Sequence, residues 1–297
     1  MSQNSPTLPG PVVTVDWLAQ NLHRDDVVVF DSSTSIISEA GVERIVPGIA
    51  AYEEAHIPGA RFIDLQRDLS DPDGSYPFTV PSKEAFAEGL QKLGVKQHDT
   101  LVVYSTASPW WATRIWWLFQ LHGLKNIAVL DGGLKEWRRR GHPVETGPAP
   151  VPPPGDIVVA TRLDRVIDAD RLRERLGAPD LLLVNALSPD RFSGETPVHG
   201  GRPGHIPGSL NLPAASLIDP QTNLFLDRER IIGLLRDKGL LTHEGDIVAY
   251  CGGGISATLV LFALALAGRE DTTLYDASLY EWGHREDLPI ETGPGTR

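Results

Sequence analysis

The chain repeats itself. "HIPGA" at 56–60 returns as "HIPGS" at 205–209, and "LVVYS" at 101–105 is answered by "IVAYC" at 247–251. "DGGLKEW" (131–137) recurs as "DASLYEW" (276–282), and "ETGP" (145–148) comes back unchanged at 291–294. The four offsets, 149, 146, 145 and 146 residues, keep one order and agree within four residues. Self-similarity at a constant period marks a duplicated structural unit. Whatever fold one half takes the other must take too, so the 297 residues divide into two domains of ordinary size.

Each half alternates strand and helix signals. "DVVVFDSS" (26–33), "TLVVYS" (100–105) and "NIAVLDGG" (126–133) are short apolar runs with β-branched residues, the pattern of buried strands. "SKEAFAEGLQKLGV" (82–95) opens on a capping Ser82, carries Glu84 in its first turn and meets Gly94 at its end, as a helix should. The second half repeats this with "DLLLVNA" (180–186), "DRERIIGLLRDKGL" (227–240), "DIVAYC" (246–251), "ATLVLFALALAG" (257–268) and "TTLYDAS" (272–278). The alternation predicts an α/β fold, each half a mostly parallel sheet with helices on both faces. Between them "GPAPVPPPGD" (147–156) holds five prolines from Pro148 to Pro154, a composition that favours an extended, semi-rigid path. We therefore expect domains at 12–146 and 157–294 joined by a linker at 147–156.

The 39 acidic and 27 basic residues leave a net charge of −12, which argues against nucleic acid or an anionic membrane surface as the main partner. It leaves room for a small anion in a locally basic pocket. "MSQNSPTLPGPVV" shows no basic segment followed by an apolar core. The longest apolar stretch, 257–268, is too short to span a bilayer. A soluble cytoplasmic protein is expected.

There is one cysteine, Cys251, so no intramolecular disulfide and no resolving thiol are available, and no Cys/His cluster has zinc-ligand spacing. Cys251 ends an apolar strand and precedes Gly252-Gly253-Gly254, with a helix starting a few residues on. In open α/β sheets that edge is where ligands bind. The glycines let successive N–H groups curl inward as an anion nest, and the helix N-terminus adds partial positive charge. Such a loop suits a thiolate or an anionic adduct on its sulfur. The plain alternative is that a lone cysteine after an apolar strand is a small buried hydrophobe.

With the duplicated halves, the two "HIPG" motifs, "ATRIWWLFQLHGLKNIAVLDGGLKEW" (112–137) and "CGGGISA" (251–257), the chain resembles the two-domain rhodanese family of sulfurtransferases, closest to its 3-mercaptopyruvate group. The resemblance runs from about Val12 to Pro294. It implies two rhodanese-like domains, the first catalytically inactive because Ser105 stands where the second has Cys251. It implies covalent ping-pong chemistry: the Cys251 thiolate takes a sulfur from a donor as a persulfide and passes it to a thiophilic acceptor such as cyanide, a small thiol or a protein thiol. No metal or organic cofactor is implied.

The family divides by donor at the loop. Members using thiosulfate carry basic side chains there, and members using 3-mercaptopyruvate have an uncharged Cys-Gly-x-Gly loop. "CGGGIS" has no Lys or Arg, so the resemblance implies 3-mercaptopyruvate, bound by the loop residues Gly252, Gly253, Gly254, Ile255 and Ser256. The mercaptopyruvate loop usually has a hydroxyl residue where this chain has Gly253. Ser256 offers a hydroxyl further on, with helix N-capping as its plain role. Arg191 in "SPDRFSGETP" matches the family's Arg-Phe/Tyr-x-Gly motif and would grip the donor carboxylate. A second family arginine upstream of HIPG is absent here; the stretch reads Val198-His199-Gly200-Gly201, with Arg202 as a candidate substitute. His56 is a candidate for assisting proton transfer, although a turn-stabilising role explains both HIPG histidines. Trp110, Trp111, Trp116 and Trp117 read as core and interdomain packing, and Arg138-Arg139-Arg140 as a solvated helix end.

Three rivals remain. Thiosulfate:cyanide transfer is the alternative donor reading. A cysteine phosphatase would need an arginine six positions after the cysteine, where this chain has Ala257. A non-catalytic rhodanese-like binding module would be marked by loss of the cysteine, which is present.

Overall fold

The computed structural model describes residues 6–39 and 42–295, so the first five residues of the stretch read for a leader lie outside it. The chain forms two compact units. Unit 1 comprises residues up to Gly74, Val80–Arg162 and Gln221–Leu224; unit 2 comprises Ser75–Thr79, Leu163–Pro220 and the residues from Phe225 onward.

Unit 1 contains β1 (Val12–Val13), α1 (Val15–Asn21), β2 (Val27–Asp31), β3 (Thr34–Glu39), β4 (Val42–Pro47), α2 (Ile49–Glu54), β5 (Arg61–Phe62) and α3 (Leu65–Asp68). It continues with α4 (Lys83–Lys92), β6 (Thr100–Tyr104), α5 (Pro109–Leu121), β7 (Ile127–Leu130) and α6 (Gly133–Arg139). Unit 2 contains β8 (Val166–Ile167), α7 (Ala169–Glu174), β9 (Leu181–Asn185), α8 (Pro189–Ser193), β10 (Leu210–Asn211), α9 (Arg228–Asp237), β11 (Asp246–Tyr250), α10 (Ala257–Leu266), β12 (Thr272–Tyr275) and α11 (Ser278–Trp282).

The sheet orders are β1-β7-β6-β2-β5 and β10-β9-β11-β12-β8, one topology used twice, and every pairing in both is parallel. The α/β class and the duplication read from sequence are what the structure has. The helix read from its Ser82 cap forms, with Ser82 Oγ accepting from Ala85 N at 3.1 Å, and Asp227, not singled out as a cap, does the same for its helix, Oδ1 accepting from Arg230 N at 2.9 Å. An antiparallel hairpin, β3 with β4, was not expected: among the described residues it has no counterpart in unit 2, so it left no trace in the repeat.

The repeated motifs turn out to hold each other. His56 and Glu145 form a bridge, as do His205 and Glu291. Each HIPG histidine gives its Nδ1 to a carbonyl, Tyr52 O at 2.8 Å or Phe192 O at 2.9 Å, and stacks on that same residue's ring. The strand-end tyrosines Tyr104 and Tyr250 accept from Ile57 N (3.2 Å) and Ile206 N (3.0 Å). Trp137 and Trp282 donate to Pro143 O and Pro289 O, both at 2.7 Å. Duplicated side chains with duplicated partners are part of the fold in both units, whatever one unit does besides.

Gly147, Gly155 and Asp156 of the proline-rich stretch donate to Glu53 O, Gln91 O and Val95 O, so this stretch is laid along unit 1 by its backbone. Trp111, Trp116 and Trp117 are buried in α5. Among the described residues no helix is long and apolar enough to cross a membrane.

The Arg138–Arg140 run, expected to face solvent, is partly engaged. Arg139 and Arg140 both clasp Glu136, at 2.5 and 2.8 Å. The hydrogen bond from Arg139, seconded by Arg140, pulls the buried Glu136 carboxyl down to about 2. A carboxyl depressed on folding stabilises the protein above its unfolded value and loses that contribution as pH falls toward the folded one. Glu136→Gln should therefore cost about 2–3 kcal/mol at pH 7. Denaturant unfolding should show that difference shrinking between pH 5 and pH 3; a pH-independent difference would mean that the charge is not its source.

Candidate active site

The third of the five strands in unit 2 is β11, whose Ile247–Tyr250 are fully buried. Its end is pinned: Tyr250 Oη takes Ile206 N and meets Ser209 Oγ at 2.8 Å, and burial pushes the phenol up to about 12. Cys251 follows, 2% exposed, at the C-terminal edge of the central strand. Five residues then separate it from α10, with Gly254 at φ +72°, a conformation that glycine adopts without a Cβ clash.

The loop is tied to the start of α11. Ser278 Oγ accepts the N–H of Cys251 at 3.0 Å and of Gly254 at 3.2 Å, and donates to Tyr275 O at 2.9 Å. Cys251 O accepts from Leu279 N and Gly252 O from Tyr280 N, at 3.1 and 2.7 Å. Among the described residues, no protein acceptor takes the N–H groups of Gly252, Gly253, Ile255, Ser256 or Ala257. Those donors sit beside the thiol at the N-terminus of a ten-residue helix, a ready arrangement for negative charge. No charged side chain occurs from 252 to 268. Ser256 occupies the N-cap position but makes no side-chain cap bond; its φ of −65° and ψ of −22° are helical rather than the extended geometry a capping serine needs.

In unit 1 the equivalent place is built differently. Ser105 is followed by three residues before α5, whose first residue is Pro109 and lacks an N–H. Thr106 gives both N–H and hydroxyl to Ser33 Oγ at 2.8 Å. Gly133, at φ +52°, stands where unit 2 has Ser278 at φ +53°.

Arg191 lies in α8, just past the end of β9, and β9 pairs with β11 so that Asn185 faces Tyr250. The structure thus brings Arg191 and the cysteine loop to the same edge of neighbouring strands. Arg202 has other work: its guanidinium donates to the carbonyls of Trp282 (3.2 Å), Gly283 (3.3 Å), Arg285 (2.5 Å) and Leu288 (2.8 Å). His56 is held in its bridge to Glu145, 2% exposed. Ser278, His199 and Tyr280 around the loop were missed from sequence. For Ser278 and Tyr280 the available signal was divergence inside the matched motifs, where "DGGLKEW" became "DASLYEW"; His199 lies outside them. Among the described residues no group of three or more His, Cys, Asp or Glu could hold a metal ion.

Fold and site define a duplicated α/β protein with one thiol set in a backbone anion cradle. The rhodanese-like domain model matches twice, over residues 14–140 and 168–285. The 3-mercaptopyruvate sulfurtransferase of Escherichia coli (strain K12) is 31% identical, covering 94% of this chain and 97% of its own length. The Arabidopsis thaliana protein named thiosulfate/3-mercaptopyruvate sulfurtransferase 1, mitochondrial, is 32% identical over 98% of this chain and 80% of its own. A crystal structure of an Escherichia coli 3-mercaptopyruvate sulfotransferase superposes with a TM-score of 0.79 at 28% identity, covering 91% of this chain and 98% of that one. The chain belongs to the rhodanese family and is a sulfurtransferase.

Proposed function

We propose that this sulfurtransferase takes sulfur from 3-mercaptopyruvate and carries it on Cys251 as a persulfide. The observation that carries this reading is a lone buried thiol among unpaired N–H groups in a loop without charged side chains. The thiolate attacks the donor sulfur, and the cradle then holds the anionic persulfide until a thiophilic acceptor (cyanide, a small thiol or a protein thiol) removes it. Gly252, Gly253, Ile255 and Ser256 contribute backbone donors, while Gly254 supplies the turn. Arg191 binds the donor carboxylate, for which a planar guanidinium is well matched. Arg202, with four carbonyl partners, is left as a clamp on the chain after α11. His56 is left as a support of its turn, because His205 does the same in the other unit. The first domain (12–146) is the inactive copy, and the second (157–294), reached through 147–156, is the catalytic one. A lone thiol cycling through a persulfide suits a reducing compartment, and the cytoplasm is the proposed location.

The alternative donor, thiosulfate, is a dianion and would find here only backbone donors and Arg191. The expected result is therefore a higher kcat/KM with 3-mercaptopyruvate than with thiosulfate at matched pH and salt. Gly253→Lys should narrow or reverse the gap. A Cβ at Gly253 meets only Tyr280 Cδ2, at 3.6 Å, so the side chain can enter without displacing backbone. A wild-type preference for thiosulfate would overturn the donor assignment, and no transfer from either donor would favour a binding module.

A further inference from the structure

The two units share the side chains that hold the fold and differ in those that touch the cysteine loop. His199 is the clearest difference. A Cβ placed on Gly252 would come within 2.7 Å of His199 Nε2 and 3.3 Å of its Cδ2. The edge of the imidazole therefore lies directly against the backbone next to the nucleophile. This approach is available only because residue 252 is glycine. Tyr280 fixes the ring from the other side, with centroids 4.3 Å apart at 30°, while its own N–H holds Gly252 O at 2.7 Å. His284 continues the stack behind Tyr280, at 6.4 Å, and its Nδ1 meets Tyr280 O at 2.9 Å. By the repeat offset of 145, Tyr280 and His284 stand where unit 1 has Lys135 and Arg139. His199 lies in the stretch from Phe192 to its stacking partner His205, which is nine residues longer than that from Tyr52 to His56. Lys135 and Arg139 leave the corresponding place in unit 1 without that aromatic support.

His199 also sits at φ +51°, a conformation uncommon for a side chain with a Cβ and one that persists where surroundings enforce it, commonly at functional sites. Val198, before it, is buried in the core of unit 2, and Gly200 after it is again at positive φ, +72°. The strained turn delivers the ring to Gly252.

We propose that His199 is the proton donor to the carbon leaving group when 3-mercaptopyruvate gives up its sulfur. The proposal rests on the reading of Cys251 as the sulfur-accepting nucleophile. In the step, the Cys251 thiolate forms an S–S bond to the donor sulfur, and the bond from that sulfur to C3 breaks. The electron pair stays on carbon as the enolate of pyruvate, and the Nε2 proton of the imidazolium goes to C3. Carbon is reduced from C–S to C–H, and the two sulfurs are oxidised to the persulfide level. The donor's thiol hydrogen stays on the terminal sulfur through this step and is then lost by way of water to the imidazole, which leaves the anionic persulfide in the cradle and restores the imidazolium. A proton donor is needed at this point because a carbanion-like leaving group is poor without one. Thiosulfate leaves sulfite, which departs with its pair and requires no proton. The loop itself offers no acid: within it only Ser256 carries a hydroxyl.

That difference between donors supplies the test. Single-turnover sulfur loading of Cys251 is measured by intact mass for wild type, His199→Gln and His199→Ala, with each donor in turn. The ratio of the 3-mercaptopyruvate rate to the thiosulfate rate should fall by about 100-fold in both variants, the lower end for a lost general acid. Added imidazole should restore the 3-mercaptopyruvate rate in His199→Ala only. Equal losses with both donors, or an unchanged ratio, would overturn the role of His199. Absence of sulfur loading in wild type with either donor would instead overturn the Cys251 reading on which the proposal stands. Thermal unfolding of the variants separates collapse of the strained turn from lost chemistry, since collapse would remove both donor activities together.

Discussion

Incubation with 3-mercaptopyruvate and no acceptor is expected to raise the intact mass of the protein by one sulfur, about 32 Da. Addition of cyanide or a thiol should return the mass to its starting value. Cys251→Ser should hold no adduct and should lose turnover on the order of 10⁴-fold or more, as removal of a covalent nucleophile does. The replacement exchanges one small buried atom at a residue only 2% exposed whose backbone N–H is already held by Ser278, so the loop should keep its shape. Unchanged thermal unfolding would confirm that chemistry rather than folding was lost. Ser105→Ala should leave activity within about twofold, because that position has a hydroxyl where the second unit has its thiol, and the N–H of Thr106 beside it is taken by Ser33. An adduct or turnover persisting in Cys251→Ser would remove Cys251 from the mechanism.

Arg191→Ala should reduce kcat/KM for 3-mercaptopyruvate by about 10- to 150-fold, the equivalent of a charge-assisted hydrogen bond of roughly 1.5–3 kcal/mol. Arg191→Lys should recover part of this, since an ammonium lacks the planar two-point geometry. Discharge of a preformed persulfide to a neutral thiol involves no donor carboxylate and should change little. The contrast between half-reactions is the informative reading. Equal losses in both, or a clearly lowered Tm, would mean that Arg191 serves α8 and its packing beside His205 rather than the donor.

Much of the architecture was legible because its signals are local. Apolar runs of four or five residues fall on β2, β6, β7, β9, β11 and β12, and a capping serine or aspartate stands at the start of α4 and α9. The glycine-rich turn after β11 is enough to place the thiol at the sheet edge. The hairpin of β3 and β4 escaped, since it interrupts one copy only. Ser256 as a helix cap failed for a geometric reason: its backbone is already helical, and the N–H groups of Thr258 and Leu259 that a cap would take bond to Ile255 O and Ser256 O instead.

The duplication, the parallel α/β pattern in each half and the single thiol at the end of a central strand are all legible in residue order alone. Periodicity, turn chemistry and repeat offsets are properties of the chain read in order. Which polar groups meet is settled by folding. Arg202 reads as a spare cation beside the HIPG motif until its guanidinium is seen on carbonyls 80 to 86 residues away. His56 reads as a candidate acid until its bridge to Glu145, 89 positions on, is seen to repeat at His205 and Glu291. Ser278 reads as one letter in a diverged repeat until its hydroxyl is found on Cys251 N, 27 residues distant. These partners are brought together by crossover connections that return each strand end to one edge of the sheet, and hydrogen-bonding capacity in a sequence carries no direction until that return is made.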